Sequence, residues 1–142
     1  MDSIRERVMA RMVVALLGNT DAGANVTRSR EVSITRAQAP AIVVMPGSNS
    51  LQRLATQVDR NHFTVKVEIF TRGDPWDSLA AAVDKTVHSL LMQDALLAAL
   101  ISDLRRTNED FESMEADRTA GTLTLTYVAT WLASAADISQ LA

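Results

Sequence analysis

The sequence predicts an α+β fold: a mixed, mostly antiparallel sheet, two main helices packed on one face, and a long C-terminal β-hairpin. Three observations predict it. Apolar residues recur at helical spacing over residues 2–17 and 75–92. They alternate with polar residues in strand fashion over 62–71 and 122–132. Several strands follow one another with no helix between them, which favours antiparallel pairing with helices segregated to one side. The 142 residues, 47% of them hydrophobic and 22% charged, suit a single domain over 1–142 with a real core.

The first helix is read over 2–17. Asp2 and Ser3 offer capping oxygens, Ile4, Val8, Met12, Ala15 and Leu16 form its apolar stripe, and Gly18-Asn19 ends it. Residues 19–40 are polar and small, with a short strand near Val26–Arg28 and a helical turn near Thr35–Ala39. Ala41-Ile42-Val43-Val44-Met45, set between Pro40 and Pro46-Gly47, reads as a buried central strand. A turn at Gly47-Ser48-Asn49 then leads to a strand over Leu51–Val58, with Arg53 and Gln57 outward.

Phe63, Val65, Val67, Ile69 and Thr71 mark the buried face of the next strand. Asp74 is expected to cap the second helix, with Pro75 at its first position. Trp76, Leu79, Ala80, Val83, Val87, Leu90 and Leu91 make that helix's stripe. A short helical turn over Asp94–Leu100 follows. The hairpin arms run from about Ile101 to Ala116 and from Thr122 to Leu132, joined by a turn over 117–121. The second arm carries Leu123, Leu125, Tyr127, Ala129 and Trp131 on one face and Thr122, Thr124, Thr126 and Thr130 on the other. Residues 133–142 read as a loose tail.

Composition narrows the function classes. With no cysteine, disulfides and thiolate chemistry are excluded. A net charge of −3 provides no general attraction to nucleic acid. No apolar run approaches the ~20 residues of a membrane span. The apolar run Met12–Leu17 is too short for a signal peptide, so synthesis in the cytoplasm is expected. No catalytic, cofactor-binding or metal-binding residue is assigned. His62 and His88 fall in different elements without ligand spacing, and no glycine pattern cradles a phosphate. They are read as ordinary surface or boundary histidines.

Charge is unevenly spread. Glu109, Asp110, Glu112, Glu115 and Asp117 form an acidic run, whereas Arg28, Arg30, Arg36 and Arg53 fall in the N-terminal half. Such a run is commonly a solvated hairpin arm. Opposite charges on opposite flanks also suit a head-to-tail contact between identical subunits. The expected interface therefore sets Arg28, Arg30 and Arg36 against Glu109, Glu112 and Glu115 of a neighbour or a partner.

The order of segments resembles the small tail-terminator and minor tail proteins of long-tailed bacteriophages. The resemblance rests on the opening Met-Asp-Ser-Ile-Arg-Glu-Arg-Val, on "TRSREVSITRAQAPAIVVMPG", on "FTVKVEIFTRGDPWDSLAAAVDKTVHSLLM" and on "EDFESMEADRTAGTLTLTYVATW". It covers most of the chain as a layout and transfers no catalytic residue. The resemblance implies a structural virion protein, without cofactor, forming a hexameric ring at the head-proximal end of the tail tube. Such a ring stops tube growth, and its partners are its own copies, the tail tube protein and a head-completion or connector protein. The competing readings are another neck or tail-completion protein, or a small cytoplasmic α+β enzyme or ligand-binding module.

Overall fold

The computed structural model describes residues 1–29, 39–114 and 117–142. The elements run α1 (Ile4–Leu16), β1 (Val26–Arg28), β2 (Ala41–Ala55), β3 (Val58–Arg72), α2 (Trp76–Gln93), α3 (Ala95–Ala98), β4 (Asp103–Met114) and β5 (Asp117–Ser134). They build one five-stranded sheet in the order β1-β2-β3-β5-β4, parallel at β1–β2 and antiparallel elsewhere. This is the α+β fold that the sequence predicts. Among the described residues, no helix is long and apolar enough to cross a membrane.

Helix α1 starts where Ser3 Oγ accepts from the Glu6 amide at 3.1 Å, a standard way to satisfy a first-turn donor. Its buried side chains are Ile4, Val8, Met9, Met12, Ala15 and Leu16. They meet one face of the sheet, where Ile42, Val44, Phe63, Val65, Val67, Ile69, Leu123, Leu125, Tyr127, Ala129 and Trp131 are buried. Helix α2 closes the same layer through Ala80, Val83, Val87 and Leu91. The opposite face bears Thr64, Lys66, Glu68, Thr122, Thr124, Thr126 and Thr130, and no described helix packs on it.

The structure corrects several local expectations. No turn forms at 47–49. Strand β2 runs on through Pro46 to Ala55, with a register shift between Pro46 and Asn49. The reason is positional: β1 pairs only as far as Val44. Past it no described strand pairs the outer side of β2, and on such an edge a residue without an N–H is tolerated. Gly47 lets the strands approach closely there: a Cβ would lie 3.0 Å from the Thr64 carbonyl oxygen, a tight contact. Asp74 does not cap α2; Pro75 occupies the cap position without a side-chain hydrogen bond. The expected hairpin turn over 117–121 belongs to β5, and Ala120 and Gly121 pair with Arg72 and Thr71. A Cβ on Gly121 would sit 2.5 Å from the Trp76 indole, so the small residue makes room for that ring.

Leu79 is 45% exposed and Leu90 only partly buried, so the packed stripe of α2 is narrower than expected. Residues 133–142 do not hang loose. The Ser134 amide donates to the Gln140 carbonyl at 3.0 Å, Ser134 Oγ accepts from the Asp137 amide at 3.3 Å, and the Ala142 amide donates to the Leu132 carbonyl at 3.0 Å. The Ile4 amide donates to the Ile138 carbonyl at 3.0 Å, and Arg7 donates to the Ser139 carbonyl. The unsatisfied donors at the start of α1 supply the reason: the tail offers them acceptors. The helical turn expected at 35–39 lies, but for Ala39, outside the described residues.

A two-pronged ion pair ties α1 to the α2–α3 junction. Arg11 Nε and Nη2 each donate to an Asp94 oxygen at 2.7 Å, and Asp94 Oδ2 accepts from the Leu97 amide at 2.9 Å. The Arg11 guanidinium, more than the Leu97 amide, holds the Asp94 carboxyl below its ordinary value against the opposing effect of burial. A carboxyl lowered in the folded state adds stability above its unfolded value, and loses it as pH falls through the folded one. Thermal melts should therefore weaken as pH drops below about 4. Asp94→Asn should melt lower at pH 7 and show a shallower acid dependence; an unchanged acid profile would count against this pairing.

Candidate interaction surface

The predicted interface residues do not form one patch. Arg28, at the end of β1, meets Glu6 of its own α1, with Nη1–Oε1 at 2.5 Å and Nη2–Oε2 at 2.6 Å. The Arg28 hydrogen bond holds the Glu6 carboxyl low. Arg28 thus anchors β1 to α1 within the chain. Arg30, Arg36 and Glu115 lie outside the described residues.

Glu109 and Glu112 lie on opposite sheet faces, as a separation of three along a strand requires. Glu109 stands opposite the buried Leu125, on the helix side, and accepts from Arg106 Nη1 at 2.9 Å. Glu112 stands opposite Thr122 on the open side and is exposed. Asp110 shares that side, opposite Thr124. The acids of β4 are thus divided, Glu109 on the helix side and Asp110 and Glu112 on the open side.

Sequence reasoning missed a polar cluster beneath α2. Arg106 Nη2 donates to Asp84 Oδ1 at 2.5 Å and to the Tyr127 hydroxyl at 2.6 Å, and Nη1 donates to Asp84 Oδ2 at 3.1 Å. The guanidinium lies 5.1 Å from the Tyr127 ring centroid. His88 stacks on the same ring at 5.9 Å, with Nδ1 2.9 Å from the hydroxyl. Arginine has only donors. Tyr127 Oη therefore accepts from it, and the same hydroxyl lies within hydrogen-bond distance of His88 Nδ1. Burial works against the Arg106 charge, but Asp84 and Tyr127 outweigh it and raise its pKa. Burial raises the Tyr127 pKa, with Arg106 opposing.

One sequence signal was present for this cluster: Asp84 and His88 are four apart on α2, hence on one helix side. That Arg106 and Tyr127 are direct cross-strand partners only the structure shows. His88 is therefore a bonded member of the helix–sheet joint, and His62 sits on the other face, 3.2 Å from Thr130 Oγ1. Among the described residues, no group of three or more His, Cys, Asp or Glu side chains is placed to hold a metal ion.

The larger surface feature is the sheet's perimeter. Strand β4 pairs with β5 on one side only, and β2 past Val44 has no described partner on its outer side. Leu51 is 58% and Phe111 53% exposed on these two strands. Compared with protein-family models and with curated proteins, the chain matches none.

Proposed function

We propose that the protein is a structural component of a phage tail. It assembles as a ring, six copies by the resemblance, on the head-proximal end of the tail tube, where it stops tube polymerisation and presents a surface for head-tail joining. The observation that carries this reading is the single-layer sheet, with every described helix on one face. Beyond the small buried cluster of Ala41, Phe70 and Ala120 at one end, no described helix covers its other face, and no described strand pairs with the outer side of β4 or of β2 past Val44. Bare edges are templates for further pairing and are normally blunted or covered. A protein that works by assembly uses them, and the element order is the one that carries the resemblance to tail terminators.

The test is mass and shape in solution. Light scattering should give a multiple of 15.4 kDa, and negative-stain electron microscopy should show rings. In the phage carrying the gene, its loss should give tails of uncontrolled length. Tails of normal length that fail to join heads would replace the terminator reading with the neck or tail-completion one. A protein that stays monomeric at every concentration and leaves tail assembly unaffected would overturn both.

A further inference from the structure

We infer that the contact between copies is an antiparallel strand pair: the distal half of β4 of one copy against the half of β2 past Val44, whose outer side no described strand pairs, of the next, in a specific register. This rests on the ring reading and deepens it.

Strand sense comes first. β2 runs antiparallel to β3, β3 to β5, and β5 to β4, so the two outer edges run in opposite directions. When one copy follows another with the sheet direction kept, β4 meets the next β2 antiparallel, and the helices of both lie on the same side. Pairing of β4 with a second β4 is disfavoured. Over the same distal segment, such a pair would crowd Glu109, Asp110 and Glu112 of both copies together without a base among them.

Register follows from the side chains. On the helix side, β2 presents Leu51 and Arg53, and β4 presents Glu109 and Phe111. Setting Arg53 opposite Glu109 sets Leu51 opposite Phe111, joining an opposite-charge pair and an apolar pair with the same alignment. On the open side it sets Gln52 opposite Asp110 and Ser50 opposite Glu112. It also fits the lengths. Met114, the end of β4, falls opposite Ser48, short of the segment that β1 occupies up to Val44. Ala55, the end of β2, falls opposite Thr107, where β4 has its register shift. Arg53 also pairs with Asp59 at 2.5 Å in its own chain, and Glu109 with Arg106, so the joint would extend two existing ion pairs. Such charges set register and partner choice more than affinity.

The chain contains no cysteine, so any disulfide that forms joins the introduced thiols. Within one chain, β2 and β4 are separated by β3 and β5, about 14 Å at three strand spacings, beyond the reach of a disulfide. Gln52→Cys combined with Asp110→Cys, both exposed, should on mild oxidation give a ladder of covalent multimers on a non-reducing gel. Each single variant should stay a monomer there. Arg53→Glu should weaken association roughly tenfold, and Glu109→Arg in the same chain should restore it. Dimers from Asp110→Cys alone would overturn the proposal in favour of a β4–β4 contact. Multimers by light scattering, with neither a ladder nor charge-swap rescue, would overturn it while leaving the ring reading intact. A wild-type monomer by light scattering would overturn it too, since no contact between copies would then exist.

Discussion

Arg106→Ala is expected to destabilise the fold by about 3–5 kcal/mol. The guanidinium and Asp84 are each more than four-fifths buried, at 18% and 16% side-chain exposure. Removing the arginine strands the Asp84 carboxylate beneath α2 and takes a donor from the buried Tyr127 hydroxyl. Tyr127→Phe keeps the Arg106–Asp84 pair and loses only the two bonds to the hydroxyl, so its cost should be smaller, about 1–3 kcal/mol. Urea unfolding followed by circular dichroism measures both. The ordering is the informative part. Equal losses would mean that the hydroxyl, and not the ion pair, holds the joint. A loss below about 1 kcal/mol for Arg106→Ala would mean that the site is wetter than its geometry shows.

Leu91→Ala should cost about 2–5 kcal/mol, because the side chain is 2% exposed and truncation leaves a cavity between α2 and the core. Leu90→Ala and Leu79→Ala should each cost clearly less. Leu90 only flanks the core, and Leu79 is nearly half exposed, lying over Gly73, where a Cβ would meet it at 2.4 Å. The comparison fixes which side of α2 faces the sheet. If Leu79→Ala proved as damaging as Leu91→Ala, the helix would be rotated relative to this packing.

Much of the architecture was legible because it follows from local patterning. The alternation from Phe63 to Thr71 could bury only one face of a strand, and Leu123 to Trp131 did the same for its neighbour. The Ser3 cap and the apolar spacing of α1 are equally local. What was not legible depended on neighbours distant in sequence. Pro46-Gly47 is a strong turn signal taken alone, yet β1 stops at Val44 and leaves Pro46 on an edge where the strand tolerates it. Asp117–Gly121 resembles a turn, yet β3 offers Arg72 and Thr71 as pairing partners and draws Ala120 and Gly121 into β5.

The interface expectation shows the same division. Acids at 109–117 and arginines at 28–36 form a pattern in one dimension, but in the fold Arg28 has Glu6 and Glu109 has Arg106. The pleat sends Glu109 and Glu112 to opposite sides. His88 read as a boundary histidine because its partner, Tyr127, is 39 residues away on another element.

By itself, then, the sequence determined the fold class, the two main helices, the buried face of β3 and of β5, and the Thr-rich face. These depend on periodicity and burial, which each segment carries in its own composition. Only the tertiary structure decided the strand order, the continuity of β2, the docking of the tail on α1, the Asp84–His88–Arg106–Tyr127 cluster and the two uncovered edges. Each of these is a pairing between groups far apart along the chain. Which groups pair depends on the register in which strands meet, and that register is set by the whole core at once rather than by any segment alone.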